Sequence, residues 1–141
     1  MTSRINHLAV VVAAVVFFIW GALWYTVFGH QWMALMGTTA AASATAGPTT
    51  YILSFLIALV LAYVTAVALK DSSQSSAKHG ASFGIFMGVG IYMMLLLNQS
   101  LFEMRPLGLW VLDGLYGVTG LAIIGAIVGG WRTRYPSTSS G

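Results

Sequence analysis

Four long apolar runs, separated by short polar breaks, set the pattern of this chain. The first covers residues 5–27 (INHLAVVVAAVVFFIWGALWYTV) and carries no charge. At about 1.5 Å per helical residue it reaches roughly 34 Å, enough to cross a bilayer core. Arg4 precedes it, as in an export signal, but the run exceeds the roughly 7–15 apolar residues of such a signal. Runs at 50–69, 80–102 and 107–130 also have spanning length. Trp20, Trp24 and Tyr25 close the first run, and Trp131, Arg132, Arg134 and Tyr135 follow the fourth, as interfacial anchors do. After the first run, Phe28, Trp32, Leu35 and Met36 recur at helical spacing, with Gly29 and Gly37 bounding them. That spacing predicts a short amphipathic helix lying in the interface. The Ala/Ser/Thr/Gly segment beyond it predicts a loop, ended by Pro48 at the first turn of the next helix. The predicted fold is all-α: a polytopic membrane protein, a four-transmembrane-helix bundle with a short interfacial helix after the first span. Residues 1–135 form one membrane domain and 136–141 a polar tail.

Composition supports lipid as the solvent. The chain has 141 residues, 58% hydrophobic and only 6% charged, against about 25% charged in a soluble domain. The net charge of +3 comes from six basic residues scattered along the chain. They make no stripe for phosphates, so nucleic acid is not an expected partner. Threaded through four helices, Arg4, Lys70, Lys78, Arg132 and Arg134 fall on one side and Arg105 on the other. The bias predicts both termini in the cytoplasm of a bacterial inner (cytoplasmic) membrane, with the 28–49 connection and the 103–106 hairpin outside. The absence of Cys excludes disulfides, thiolate metal sites and thiol nucleophiles.

Small residues mark the faces where helices approach. Gly80, Gly84 and Gly88 share one face of the third span, and Ser54, Ala58, Ala62 and Ala66 recur on the second. Gly125 and Gly129 lie at the matching depth of the fourth span, because the short turn makes the third and fourth antiparallel neighbours. Such faces suit close packing in lipid, with a helix of the same chain or of another copy.

The polar residues gather in 98–116, which holds Glu103 and Asp113, two of three acids, with Asn98, Arg105 and Tyr116. Asp113 lies about 9 Å into the fourth span, where an unpaired carboxylate costs a few kcal/mol. Arg105 is its nearest expected partner. Trp24 and Tyr25 reach the same level from the first helix, as do His30 and Trp32 from the connection. An Asp113–Arg105 pair would serve as a staple of the hairpin, or the cluster would handle a ligand or ion. No nucleophile–base spacing, paired acids or phosphate loop is present, so no catalysis is expected. His7 and His79 match in depth as axial haem ligands would, but read more simply as interfacial polar residues. Met33 and Met36 read as packing and not as soft-metal ligands. No metal and no cofactor is predicted.

Asn6, Ala9 and Val10, then Gly21, Ala22, Trp24 and Tyr25, then Phe28, Gly29 and Trp32 resemble the opening of an uncharacterised bacterial membrane family, domain of unknown function 1761. The closing FEMRPLGLWVLDGLYGVTGLAIIGAIVGGW is similar to that family's last helix. The Ala/Ser/Thr loop departs from the more charged segment common there. The resemblance implies four membrane helices and no assigned activity. The expected function is that of a small non-enzymatic membrane protein acting through helix packing, as a self-associating bundle or an accessory subunit of a larger complex. Its partners would be the lipid bilayer and further copies or other membrane subunits. A transporter or channel built on the cluster around Asp113 is the alternative, and a membrane enzyme or haem carrier a second one.

Overall fold

The structure is a computed structural model that describes residues 3–39, 47–73, 76–131 and 133–134. Most of the expected loop (40–46), Arg132 and Tyr135 of the closing anchor, and the tail 136–141 lie outside them. Helix α1 (His7–Val27) starts after Asn6, whose side chain accepts from the Leu8 and Ala9 amides at 3.1 and 3.2 Å. That cap is why the helix begins at His7 and leaves Ile5 outside. The Asn6 amide also donates to the Trp131 carbonyl at 2.9 Å, tying the start of α1 to the far end of the chain. Helix α2 (Gly29–Met36) follows, closed by Gly37 in the left-handed region at φ 72°. Helix α3 (Pro48–Leu69) has its proline in the first turn. Helix α4 (Ala77–Phe102) starts at the Ser76 cap and contains one π turn at Gly88–Tyr92. Helix α5 (Leu107–Gly130) starts at Pro106.

The architecture is all-helical, and α1, α3, α4 and α5 are each long and apolar enough to cross a membrane. Strands of two residues, β1 (Ser3–Arg4) and β2 (Thr133–Arg134), pair antiparallel, so the first and last described residues lie together at one end of the bundle. The other end holds α2 and the α4–α5 hairpin. Met104 turns that hairpin with φ 54°, and the Arg105 amide donates to the Ser100 carbonyl at 3.0 Å.

Helix α5 is the hub: α1, α2, α3 and α4 all pack on it, α4 most extensively. Its glycines admit different things at different depths. Toward the termini end they admit backbone. A Cβ on Gly80 would land on the Gly125 carbonyl, and one on Gly84 on the Leu121 carbonyl. Gly129 lies on the Gly80 Cα, within 2.9 Å of where its own Cβ would stand. The Gly80/Gly84/Gly88 face is therefore filled by this chain's own α5. Toward the hairpin end α5 admits side chains: the Phe17 ring over Gly120, the Tyr92 ring over Gly117 and the Met93 side chain over Gly114. The core joins Val10, Ala13, Ala14 and Phe17 of α1 with Ala58, Ala62, Ala66 and Leu69 of α3 and Ile124 and Val128 of α5. The small-residue ridge of α3 thus docks at Ala58, Ala62 and Ala66, but Ser54 is exposed.

Candidate functional site

That departure at Ser54 opens the site. Ala58 and Ala62 are 0% exposed, whereas Ser54, one turn earlier on the same ridge, is exposed, as is Tyr51 at 57%. The ridge face of α3 therefore loses its close contact with the bundle toward the hairpin end. Phe55 bridges back, edge-on to Phe18 with 6.1 Å between ring centres. Bulk explains the standoff: α1 and α5 offer Phe17, Phe18, Tyr25 and Tyr116 at this level, where they offer Ala13 and Ala14 deeper down.

Two hollows result. One, of about 470 Å³, lies between α1 and α3 and is lined by Gly21, Tyr25 and Tyr51 among others. The second, of about 340 Å³, lies between α3 and α4 and is lined by Ile57, Leu61, Tyr92, Gly117 and Leu121. Phe17, Ser54 and Tyr116 line both, so the two hollows adjoin beneath α3 and together make up the cleft.

Its aromatic wall is ordered around Tyr116. The Tyr116 ring is 5.2 Å from Tyr25 (65° between planes), 5.4 Å from Phe17 and 6.5 Å from Trp24, centre to centre. Its hydroxyl points at Gly21, 3.0 Å from where a Cβ would stand. Tyr25 also meets Trp32 of α2 edge-on at 6.1 Å. The Tyr25 hydroxyl donates to Asp113 Oδ1 at 2.6 Å, and the Tyr92 hydroxyl reaches the Asp113 carbonyl at 3.4 Å. Trp24 Nε1 is buried with no hydrogen-bond partner among the described residues.

The expected Asp113–Arg105 staple does not form. Arg105 Nε instead binds Glu103 Oε1 at 2.7 Å, both side chains 41% exposed, within the turn. Depth is the reason: Arg105 sits before Pro106 at the polar end of the hairpin, while Asp113 lies two helical turns further in, level with Tyr25. The carboxylate therefore ties α5 to α1, and the hairpin closes by itself. Trp24, Tyr25, Asp113 and Tyr116 come together; Asn98 and Glu103 are exposed and away from the cleft. His7 bonds the Tyr63 hydroxyl at 2.8 Å and His79 bonds Ser72 Oγ at 3.1 Å, each with its own partner. Among the described residues no three His, Asp or Glu gather to hold a metal ion.

Tyr92, Phe17 and Tyr51 line the cleft although neither charge nor motif marks them in the sequence. Tyr92 had a positional signal, since it continues the Gly84–Gly88 face by one more helical step.

A family model described as "Protein of unknown function (DUF1761)" matches residues 8–129. No curated protein and no solved structure matches the chain.

Proposed function

The chain belongs to the DUF1761 family of proteins of unknown function, the one its opening and closing motifs resemble, and from that premise we propose that it is a non-enzymatic membrane protein that binds a small amphiphile in the cleft beneath α3. The observation that carries this reading is the half-docked ridge of α3, packed to 0% exposure at Ala58 and Ala62 and exposed at Ser54 and Tyr51 toward the hairpin end. A cleft of hundreds of Å³, mostly apolar with a few polar groups, has the character of a small-molecule site. Opening sideways between helices, it would admit its ligand from the bilayer.

Self-association or an accessory-subunit role draws less support, because the small-residue faces that motivated it are occupied by helices of the same chain. Passage across the membrane is also disfavoured, since α4 and α5 meet backbone to backbone at the termini end.

A diazirine-bearing octanol photolysed with the protein in bilayers is the test. Label is expected on Tyr51, Ser54 and Tyr116, falling about fivefold in Ser54→Trp, which fills the junction of the two hollows. Label spread evenly over lipid-facing Val60 and Val64 would remove the cleft from the function.

Orientation belongs to the same proposal. The end bearing the termini has five basic residues nearby and the hairpin end one, which favours cytoplasmic termini and a cleft in the outer leaflet. A C-terminal fluorescent-protein fusion is expected to be bright and an alkaline phosphatase fusion inactive in a bacterial host. The opposite pattern would invert the orientation.

A further inference from the structure

We infer that the cleft selects an amphiphile with a hydrogen-bond-donating, cationic head such as a primary ammonium, and that Asp113 sets this preference by holding the proton of Tyr25. The inference rests on the cleft reading above and names the head group of its ligand. A phenol has one proton to give and two lone pairs to offer. The Tyr25 proton is committed to Asp113 Oδ1 at 2.6 Å, the length of a charge-assisted bond. Tyr25 lines the cleft and Asp113 does not, so the carboxylate stands behind the phenol. What Tyr25 offers a ligand is then an oxygen that accepts and does not donate, made more negative by the charge behind it.

Three further observations agree. The Tyr116 ring packs on Tyr25 with 5.2 Å between ring centres and Phe17 packs on Tyr116 in turn, so the cleft wall next to Tyr25 is aromatic, and aromatic faces attract cations. No ion pair neutralises Asp113 among the described residues: Arg105 is bonded to Glu103 at 2.7 Å. The remaining polar groups of the cleft do not oppose the preference. Thr26 donates its proton to the Ala22 carbonyl at 2.6 Å and Tyr92 turns its own toward the Asp113 carbonyl at 3.4 Å, so both offer a ligand an acceptor. The Tyr116, Tyr51 and Ser54 hydroxyls make no side-chain hydrogen bond among the described residues and can turn either way. Trp24 Nε1 is a donor, but it is buried and does not line the cleft.

The test is displacement of the diazirine octanol label from the full-length protein by octylamine, octanol and octanoate, which share one chain and differ in the head. Octylamine, protonated at neutral pH and donating only, is expected to displace about tenfold better than octanoate, which only accepts. In Tyr25→Phe and in Asp113→Asn that ratio is expected to fall at least fivefold. Displacement is scored against the concentration of each probe measured in the bilayer, so differences in partitioning are removed from the ratio. A structural role for Asp113 would lower the affinity of all three probes together and leave the ratio unchanged, and that result would overturn the inference. Equal displacement by octylamine and octanoate in the unaltered protein would also overturn it, with the labelled cleft left standing. Absence of label at the cleft would sink the cleft reading and the head-group inference together.

Discussion

Gly80→Leu is expected to destabilise the bundle by about 3 kcal/mol or more, at the upper end of overpacking costs. The Cβ alone would collide with the Gly125 carbonyl, and backbone there cannot step aside as a flexible side chain would. Lipid sharpens the effect. Helices in a membrane gain little from burying apolar surface against one another, so their association depends on close contact. Pushing α4 away from α5 removes that contact along the whole line Gly80, Gly84 and Gly88. Gly90→Leu is the control in the same helix. Nothing lies within 4 Å of a Cβ at Gly90, and a change within about 0.5 kcal/mol is expected there. Unfolding in mixed micelles, followed by tryptophan fluorescence, measures both. Equal losses at the two positions would mean that the α4–α5 contact does not hold the fold.

The same contact shows what was legible in the sequence. Span positions followed from lipid, which demands about 20 apolar residues per crossing and tolerates few charges. The depth match of Gly80 with Gly125 followed from the short hairpin, because antiparallel neighbours joined by a few residues have fixed relative heights. The identity of the partner helix did not follow, since a glycine face fits any helix that comes close. Ser54, Ala58, Ala62 and Ala66 form one ridge on paper. Only the rings opposite Ser54 and the alanines opposite Ala62 divide it into an open half and a docked half, and those rings belong to other spans. The π turn at Gly88–Tyr92 left no periodic trace either, because one widened turn shifts the register without changing the apolar character of the run.

Asp113 illustrates the same limit from the polar side. Its charge marked it in the sequence, and proximity along the chain suggested Arg105. Three-dimensional depth decided for Tyr25, 88 positions away in sequence. A double-mutant cycle on this pair has the second large expected effect. Tyr25→Phe removes the hydroxyl and leaves a carboxylate inside the span without its donor, at a cost of about 1.5–3 kcal/mol for a bond to a charged group. Neutral side-chain bonds between membrane helices are worth about 0.6 kcal/mol on average, so Trp20 Nε1 to Thr119 Oγ1 at 3.0 Å is expected to matter less. Asp113→Leu removes the bond together with the charge that needed it. The double variant Tyr25→Phe/Asp113→Leu is therefore expected to be more stable than Tyr25→Phe alone, a reversal that additive effects cannot produce. Unfolding free energies of the four proteins in the same micelles give the coupling. A coupling near zero would mean that water reaches Asp113 and solvates it without Tyr25. The phenol proton would then be free, and the cleft would lose the acceptor that its head-group preference depends on.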